Sequence, residues 1–366
     1  MMERSSQLIL FLGVFLMTLA LVDANAKSVK SIFAFGDSQF DPGNNKYVKN
    51  CTLQANFAPY GSAFFHYPTG RFTNGRTVVD FVAQFLGIKF QKPYQEVKRR
   101  LSMGSLKVFP VNGLNFASAG SGILPHINND KGVTSLQVQL KQFHGLVAHK
   151  HLHKTQISNS LFFIVSGGND VFSYFLFPGV SKMTPRTYVR AMLKEIVRFT
   201  SKIYRHGARK IVFFSIGPVG CLPGRFLLRN ASIAQCHDKM NIMARYYNTG
   251  LKRFIYRIPR MFPGAIGVYA ASYDTSIKYR ENPKIYGYTN INEACCGGGP
   301  LNGVLQCGLK VYKMCMTPNR YFFWDYFHPS EHTYGLISKA FWEGGKEEIW
   351  PINIKTLSRN KTSSHP

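Results

Sequence analysis

The chain has 366 residues, of which 45% are hydrophobic and 17% charged. That is enough apolar matter for one large core or two small ones, and the absence of any repeat or low-complexity tract excludes a repetitive organisation. Lys and Arg total 45 against 18 Asp and Glu, and the resulting +27 speaks to association with a polyanion, not to fold.

Residues 8–22, LILFLGVFLMTLALV, form one apolar run behind Arg4. The run is short for a membrane span, and Ala24 and Ala26 follow it as an A-x-A pattern. Residues 1–26 are therefore expected to be a secretory signal peptide, cut before Lys27. No later segment is apolar enough to span a bilayer, so no transmembrane anchor is expected. The first predicted strand is VKSIFAFG (29–36), and GDSQFDPGNN follows it from Gly36. Taken alone, Gly-Asp-Ser is an ordinary turn or helix cap. A helical pattern covers 76–87. Strands are predicted at 113–118, 160–167, 210–217 and 265–272, with helices at 135–150, 185–207 and 237–259 between them. A final helix is expected to begin near Ser330, with Glu331 in its first turn. From Pro351 the composition becomes polar. The reading is one α/β domain over 27–350 and a polar tail over 351–366. Strands alternating with helices imply a parallel sheet covered on both faces.

The cysteines are Cys51, Cys221, Cys236, Cys295, Cys296, Cys307 and Cys315. In a secreted chain they suit up to three disulfides, with Cys51 the natural odd one and the connectivity undetermined. The cluster from Cys295 to Cys315 could compete as a zinc site, but its adjacent pair lacks the C-x₂-C spacing of structural zinc; no metal is expected. Asn50, Asn230 and Asn360 head N-x-S/T sequons and are the expected glycosylation sites.

In open parallel sheets ligands bind beyond the carboxyl ends of the strands. Ser38 follows the first strand, Gly120 the second, Asn169 the third and Gly217 the fourth, so the polar groups converge on one edge. A serine nucleophile needs a base and a group that orients it. FFWDYFHPSEH (322–332) offers both, with Asp325 three residues before His328. On one turn the carboxylate can reach the Nδ1–H, leaving Nε2 free to face Ser38. NFASAGSG (115–122) could supply the Gly120 N–H to an oxyanion, SGGNDVF (166–172) the Asn169 amide, and Ser38 its own N–H.

These blocks resemble the plant-type GDSL esterase/lipases, within the hydrolases named for their Ser, Gly, Asn and His. FGDSQFDPGNN, NFASAGSG, GGND and DYFHP match in order, and NFAPYGSAFF, PTGRFTNGRTVVDF, GPVGCLP and EACCGGG match between them, over nearly all of 31–345. The resemblance implies a flavodoxin-like three-layer α/β/α sandwich. It also implies Ser38 as nucleophile and first oxyanion donor, Gly120 and Asn169 as the other donors, His328 as base, Asp325 as its orienter, and no cofactor. Gln39 stands where that family expects Leu, and Pro42 is a second departure. The G-x-S-x-G elbow of α/β-hydrolases is absent, and the order Ser, Asp, His with a three-residue gap also points away from that fold.

The expected activity is hydrolysis of a carboxylic ester, on a lipid, an acylated small molecule or a polysaccharide, through an acyl-enzyme on Ser38. Acyl transfer to a hydroxyl at the same site is the alternative. So is a non-catalytic wall-binding protein, against which the complete residue set argues. In 185–207, Arg186, Arg190, Lys194, Arg198, Lys202 and Arg205 recur every three or four residues. They fall on one face, opposite Val189, Met192, Leu193, Ile196, Phe199 and Ile203. Only Glu195 relieves the stripe. Its expected partner is an acidic wall polysaccharide in the extracellular space, where nucleic acid is not expected.

Overall fold

Along each central strand, successive side chains enter two different apolar cores. Phe33, Phe35, Phe162, Ile164, Ile211 and Phe213 fill one, while Ile32, Ala34, Leu161, Phe163, Val212 and Phe214 fill the other. A strand apolar on both sides needs cover on both, and the chain supplies it with helices. The computed structural model describes residues 29–360 apart from 180, 230 and 310; the leader, Asn230 and the last six residues lie outside it. The strands are β1 (Ile32–Gly36), β2 (Lys92–Pro93), β3 (Gly113–Asn115), β4 (Leu161–Val165), β5 (Lys210–Phe214) and β6 (Ile266–Ala270). They lie in the order β2-β3-β1-β4-β5-β6, all parallel, and Ile349–Trp350 pairs antiparallel on β6 at the edge. Without the two short edge strands this is the 2-1-3-4-5 order of doubly wound sheets, whose winding reverses at β1.

The helices that matter below are α1 (Val78–Phe85), α2 (Leu136–Ala148), α3 (Gly168–Leu176), α4 (Pro185–Arg205), α5 (Asp238–Met261) and α6 (Glu331–Glu343). Side chains of α2 to α5 complete one core and those of α1 and α6 the other. The caps are local: Thr184 accepts the Thr187 N–H at the start of α4, where Pro185 is the first helical residue, and Ser330 accepts the Thr333 N–H at the start of α6. Each expected strand exists; the first ends at Gly36 as expected but begins at Ile32, and the other four stop two or three residues early. The surplus residues, Ser166 and Ser215 among them, are loop residues that turn toward the site.

On α4 all six cations of the stripe are exposed and the apolar face is inward. Leu193 is the exception: it is only partly buried and packs against Gly250 of α5. Disulfides join Cys221 to Cys236, Cys295 to Cys315 and Cys296 to Cys307, leaving Cys51 free and buried. The stretch expected as a polar tail contains a helix, Ile354–Arg359, with Ile354 and Leu357 buried in the α1/α6 core. Ile354 and Leu357 lie three apart and share a face, and Ile352 packs against the same core from just before the helix. The Val29 N–H donates to Ser358 O at 3.1 Å and closes the domain.

Arg71 ties the loop after β1 to the start of α1. It lies buried, donates to both Asp80 oxygens at 2.8 and 2.6 Å, and reaches Pro42 O at 3.3 Å. Breaking a buried, bidentate ion pair leaves an uncompensated charge. Arg71→Ala is expected to cost about 3–5 kcal/mol in chemical denaturation; a loss below about 1 kcal/mol would show that Asp80 finds another partner.

Candidate active site

β1 ends at Gly36, whose φ of +139° suits glycine and whose missing Cβ would lie 1.7 Å from Val165 O on β4. The next two residues are Asp37 and Ser38, the first buried and the second half-buried. Ser38 therefore stands at the reversal point of the sheet, where loops from neighbouring strands diverge and leave a crevice. Ser38, Gly120, Asn169 and His328 all line one cavity of about 320 Å³, whose walls are largely apolar, with Phe172, Leu176, Val219 and Phe327 among them.

His328 and Asp325, the expected base and its orienter, are close-set. His328 Nδ1 is 2.6 Å from Asp325 Oδ1, and that oxygen also accepts the N–H groups of Phe327 and His328 at 2.9 Å each. Asp325 is fully buried behind the ring, and Phe72 lies against the ring at 5.0 Å between centroids. With Nδ1–H held by the carboxylate, Nε2 is the nitrogen left to accept a proton. Ser38 Oγ and His328 share the cavity without a closed hydrogen bond between them, a looseness common in catalytic pairs until substrate is bound.

Three donors surround the same space. The N–H groups of Ser38 and Gly120 have no acceptor among the described residues. Gly120 has φ +83°, and its carbonyl is held from the other side by Asn128 Nδ2 at 2.8 Å. Asn169 opens α3 and spends one amide hydrogen on Ser121 O at 2.9 Å, leaving the second free. All four residues singled out from the loop motifs, together with Asp325, thus meet at one place.

Several contributors were not legible as site residues. Asp41 accepts the N–H groups of Gly43 and Asn44 and that of Ala119, directly before Gly120, at 2.8, 2.6 and 2.8 Å. Asp170 accepts Ile123 and Leu124 N–H at 2.8 and 2.9 Å, holding the far end of the same loop. Gln139 binds both backbone groups of Gly36 at 2.8 Å; its signal is a polar residue in the apolar stripe of α2. Tyr60 donates to Asp325 Oδ2 at 2.7 Å, and no spacing could have linked it to a residue 265 positions away. Gln39 accepts from the Tyr334 hydroxyl at 2.8 Å, so the departure from Leu is absorbed by a phenol on α6.

The family described as GDSL-like lipase/acylhydrolase matches residues 32–341. The chain is similar to GDSL esterase/lipase 6 of Arabidopsis thaliana, 48% identical over 98% of this chain and 99% of that one. It is 32% identical to GDSL esterase/lipase 5 of the same plant, over 90% of this chain and 88% of the other. It is 30% identical to a GDSL lipase of Tanacetum cinerariifolium, over 93% and 91%.

Burial pushes the Asp37 carboxyl from its ordinary 3.8 up to about 7, against the pull of the Gln39 N–H and of the His328 charge. The folded state therefore binds this proton more tightly than the unfolded chain does. The stability it brings is complete below about pH 4 and is lost as pH rises through about 7. The thermal midpoint is expected to fall by several degrees between pH 4 and 7, and Asp37→Asn is expected to flatten that slope. Calorimetric scans giving parallel slopes for parent and variant would assign the pH dependence to other groups.

Proposed function

This chain belongs to the GDSL-like lipase/acylhydrolase family and is a carboxylic ester hydrolase, and we propose that it works through an acyl-enzyme on Ser38. The observation that carries the reading is the meeting, on one cavity, of Ser38, the Asp325–His328 pair at 2.6 Å and three unspent N–H donors. Ser38 Oγ attacks the ester carbonyl as His328 Nε2 takes its proton. Asp325 holds the ring in the required tautomer and stabilises the imidazolium. The carbonyl oxygen becomes an oxyanion and is received by the N–H of Ser38, the N–H of Gly120 and the Asn169 amide. The imidazolium then protonates the departing alcohol. Water, deprotonated by the same ring, attacks the acyl-enzyme and releases the acid. The apolar walls favour esters with an apolar acyl or alcohol portion.

The leader pattern of residues 1–26 and three disulfides support a secreted protein, glycosylated at Asn50, Asn230 and Asn360. Asn50 is exposed. Among the described residues no helix is long and apolar enough to cross a membrane.

The outer surface supports an acidic wall polysaccharide as partner. The six exposed cations of α4 are relieved only where Arg198 pairs with Glu195. α5 packs beside α4 and adds exposed Lys252, Arg253, Arg257 and Arg260, so the basic surface is two helices wide. Like charges at this spacing repel one another, and an external polyanion relieves that repulsion.

Ser38→Ala is expected to reduce turnover of a soluble ester to background with the unfolding transition unchanged, and Asn169→Ala to cost about 10²–10³ in kcat. Turnover surviving in the first variant, or an unchanged kcat in the second, rejects the assigned role.

Arg190, Arg198 and Lys202 changed together to Glu are expected to elute from a polygalacturonate column at lower salt than the parent, with kcat on a small ester unaltered. Screening sets the range, since the Debye length falls from about 10 Å at 0.1 M to about 3 Å at 1 M. Coelution of triple variant and parent would move the binding surface elsewhere.

A further inference from the structure

We propose that Tyr60 is a positioning residue for ester hydrolysis, acting through Asp325. This rests on the assignment of Asp325 and His328 above. Each oxygen of the Asp325 carboxylate has a separate task. Oδ1 takes the His328 ring and two backbone N–H groups, while Oδ2 takes the Tyr60 hydroxyl at 2.7 Å. Without that hydroxyl, Oδ2 would be a buried anionic oxygen with no donor, and the carboxylate would be held from its Oδ1 side alone.

Tyr60 itself is locked. It is 1% exposed and sits edge-on to Phe57, Phe72 and Trp324 at 5.6, 6.0 and 6.2 Å between centroids. Gln306 Nε2, anchored on Gln54 O at 2.9 Å, lies 3.4 Å from the phenol oxygen, which favours donation of the Tyr60 proton toward the carboxylate. Gln306 precedes Cys307 and is therefore held by the bridge to Cys296. Burial and the Asp325 charge keep the phenol protonated far above working pH, so it remains a donor throughout. The other titratable groups facing the pair are Asp37 beside His328, and Tyr326 and Tyr334 beside Asp325; none of them donates to Oδ2.

The consequence is electrostatic as well as geometric. A carboxylate that also accepts from a phenol presents less negative charge to the imidazolium formed during the reaction. Removing the hydroxyl leaves Oδ2 without its donor and increases the negative charge that the imidazolium meets.

The test measures kcat, KM and the pH profile of kcat/KM on a soluble ester for the full-length secreted protein. The variants are Tyr60→Phe, Asp325→Asn and the double variant, together with 3-fluorotyrosine placed at position 60. Tyr60→Phe, which keeps the ring packing, is expected to lower kcat about three- to tenfold with KM unchanged. It is also expected to move the acid limb up by about half a pH unit. The fluorinated phenol is a stronger donor and is expected to move that limb down. In the Asp325→Asn background, Tyr60→Phe is expected to add no further loss. An acid limb that superimposes on the parent's, or an equal loss in both backgrounds, would make Tyr60 a packing residue only. If Asp325→Asn retains full activity, the triad reading falls and this inference with it, whereas an inactive Asp325→Asn beside a silent Tyr60→Phe overturns this inference alone. Should Tyr60→Phe not fold, the sign of the shift in the fluorotyrosine protein decides.

Discussion

Gln139 answers both backbone groups of Gly36, and the placement of Ser38 follows from that contact. The Gly36 N–H donates to its Oε1, and the Gly36 carbonyl accepts from its Nε2, from the Ser118 N–H and from Ser121 Oγ, all between 2.8 and 2.9 Å. A buried strand end must satisfy these groups somewhere. Here they are satisfied by α2 and by the loop that carries Gly120, so the end of β1, the Ser38 turn and the Gly120 loop are fixed relative to one another. The lack of room for a Cβ beside Val165 completes the constraint, because no other residue could let β1 and β4 lie so close at that point.

The same loops are held by buried carboxylates. Asp41 and Asp170 take five backbone N–H groups between them. Burial raises each to about 6 while the N–H bonds pull it back down. Stability and preorganisation work against each other in such an arrangement. Desolvating a charge is costly, and the return is a loop whose N–H groups point into the cavity before substrate arrives. In a chain of +27, Asp37, Asp41, Asp170 and Asp325 are buried in the site region, while a set of exposed cations lies outside on α4 and α5.

The Asp325–His328 turn is supported by a separate body of structure. Cys295, Cys296, Cys307 and Trp324 form a small core with Tyr60 and Phe72, apart from the two cores that flank the sheet. The backbone of the turn is paired as well: Cys296 N–H donates to Trp324 O, and Trp324 N–H to His328 O, both at 2.8 Å. The disulfides thus stiffen the ground on which His328 and Asp325 stand. The basic face belongs to the outer helical layer and shares no residue with the cavity lining.

By itself the sequence determined the architecture and most of the site. Period-two runs apolar on both faces, separated by period-3.6 helices, admit only a parallel sheet with helices on each side. Residues placed just after strands must then gather at one edge, which is how Ser38, Gly120 and Asn169 were legible, whereas the Asp325–His328 turn was legible from its own three-residue spacing. The orientation of α4 was legible for the same reason, as a local periodicity. Four strand ends were overrun by two or three residues, since Ser and Ala after a strand carry no stop signal of their own. Only the tertiary structure decided the rest: which cysteines pair, that Ile354 and Leu357 bury a stretch polar by composition, that Gln139 serves Gly36, and that Tyr60 reaches Asp325. Each of those is a contact between residues far apart in the chain, and local pattern carries no information about which distant partner the packing of the core will bring within hydrogen-bond reach.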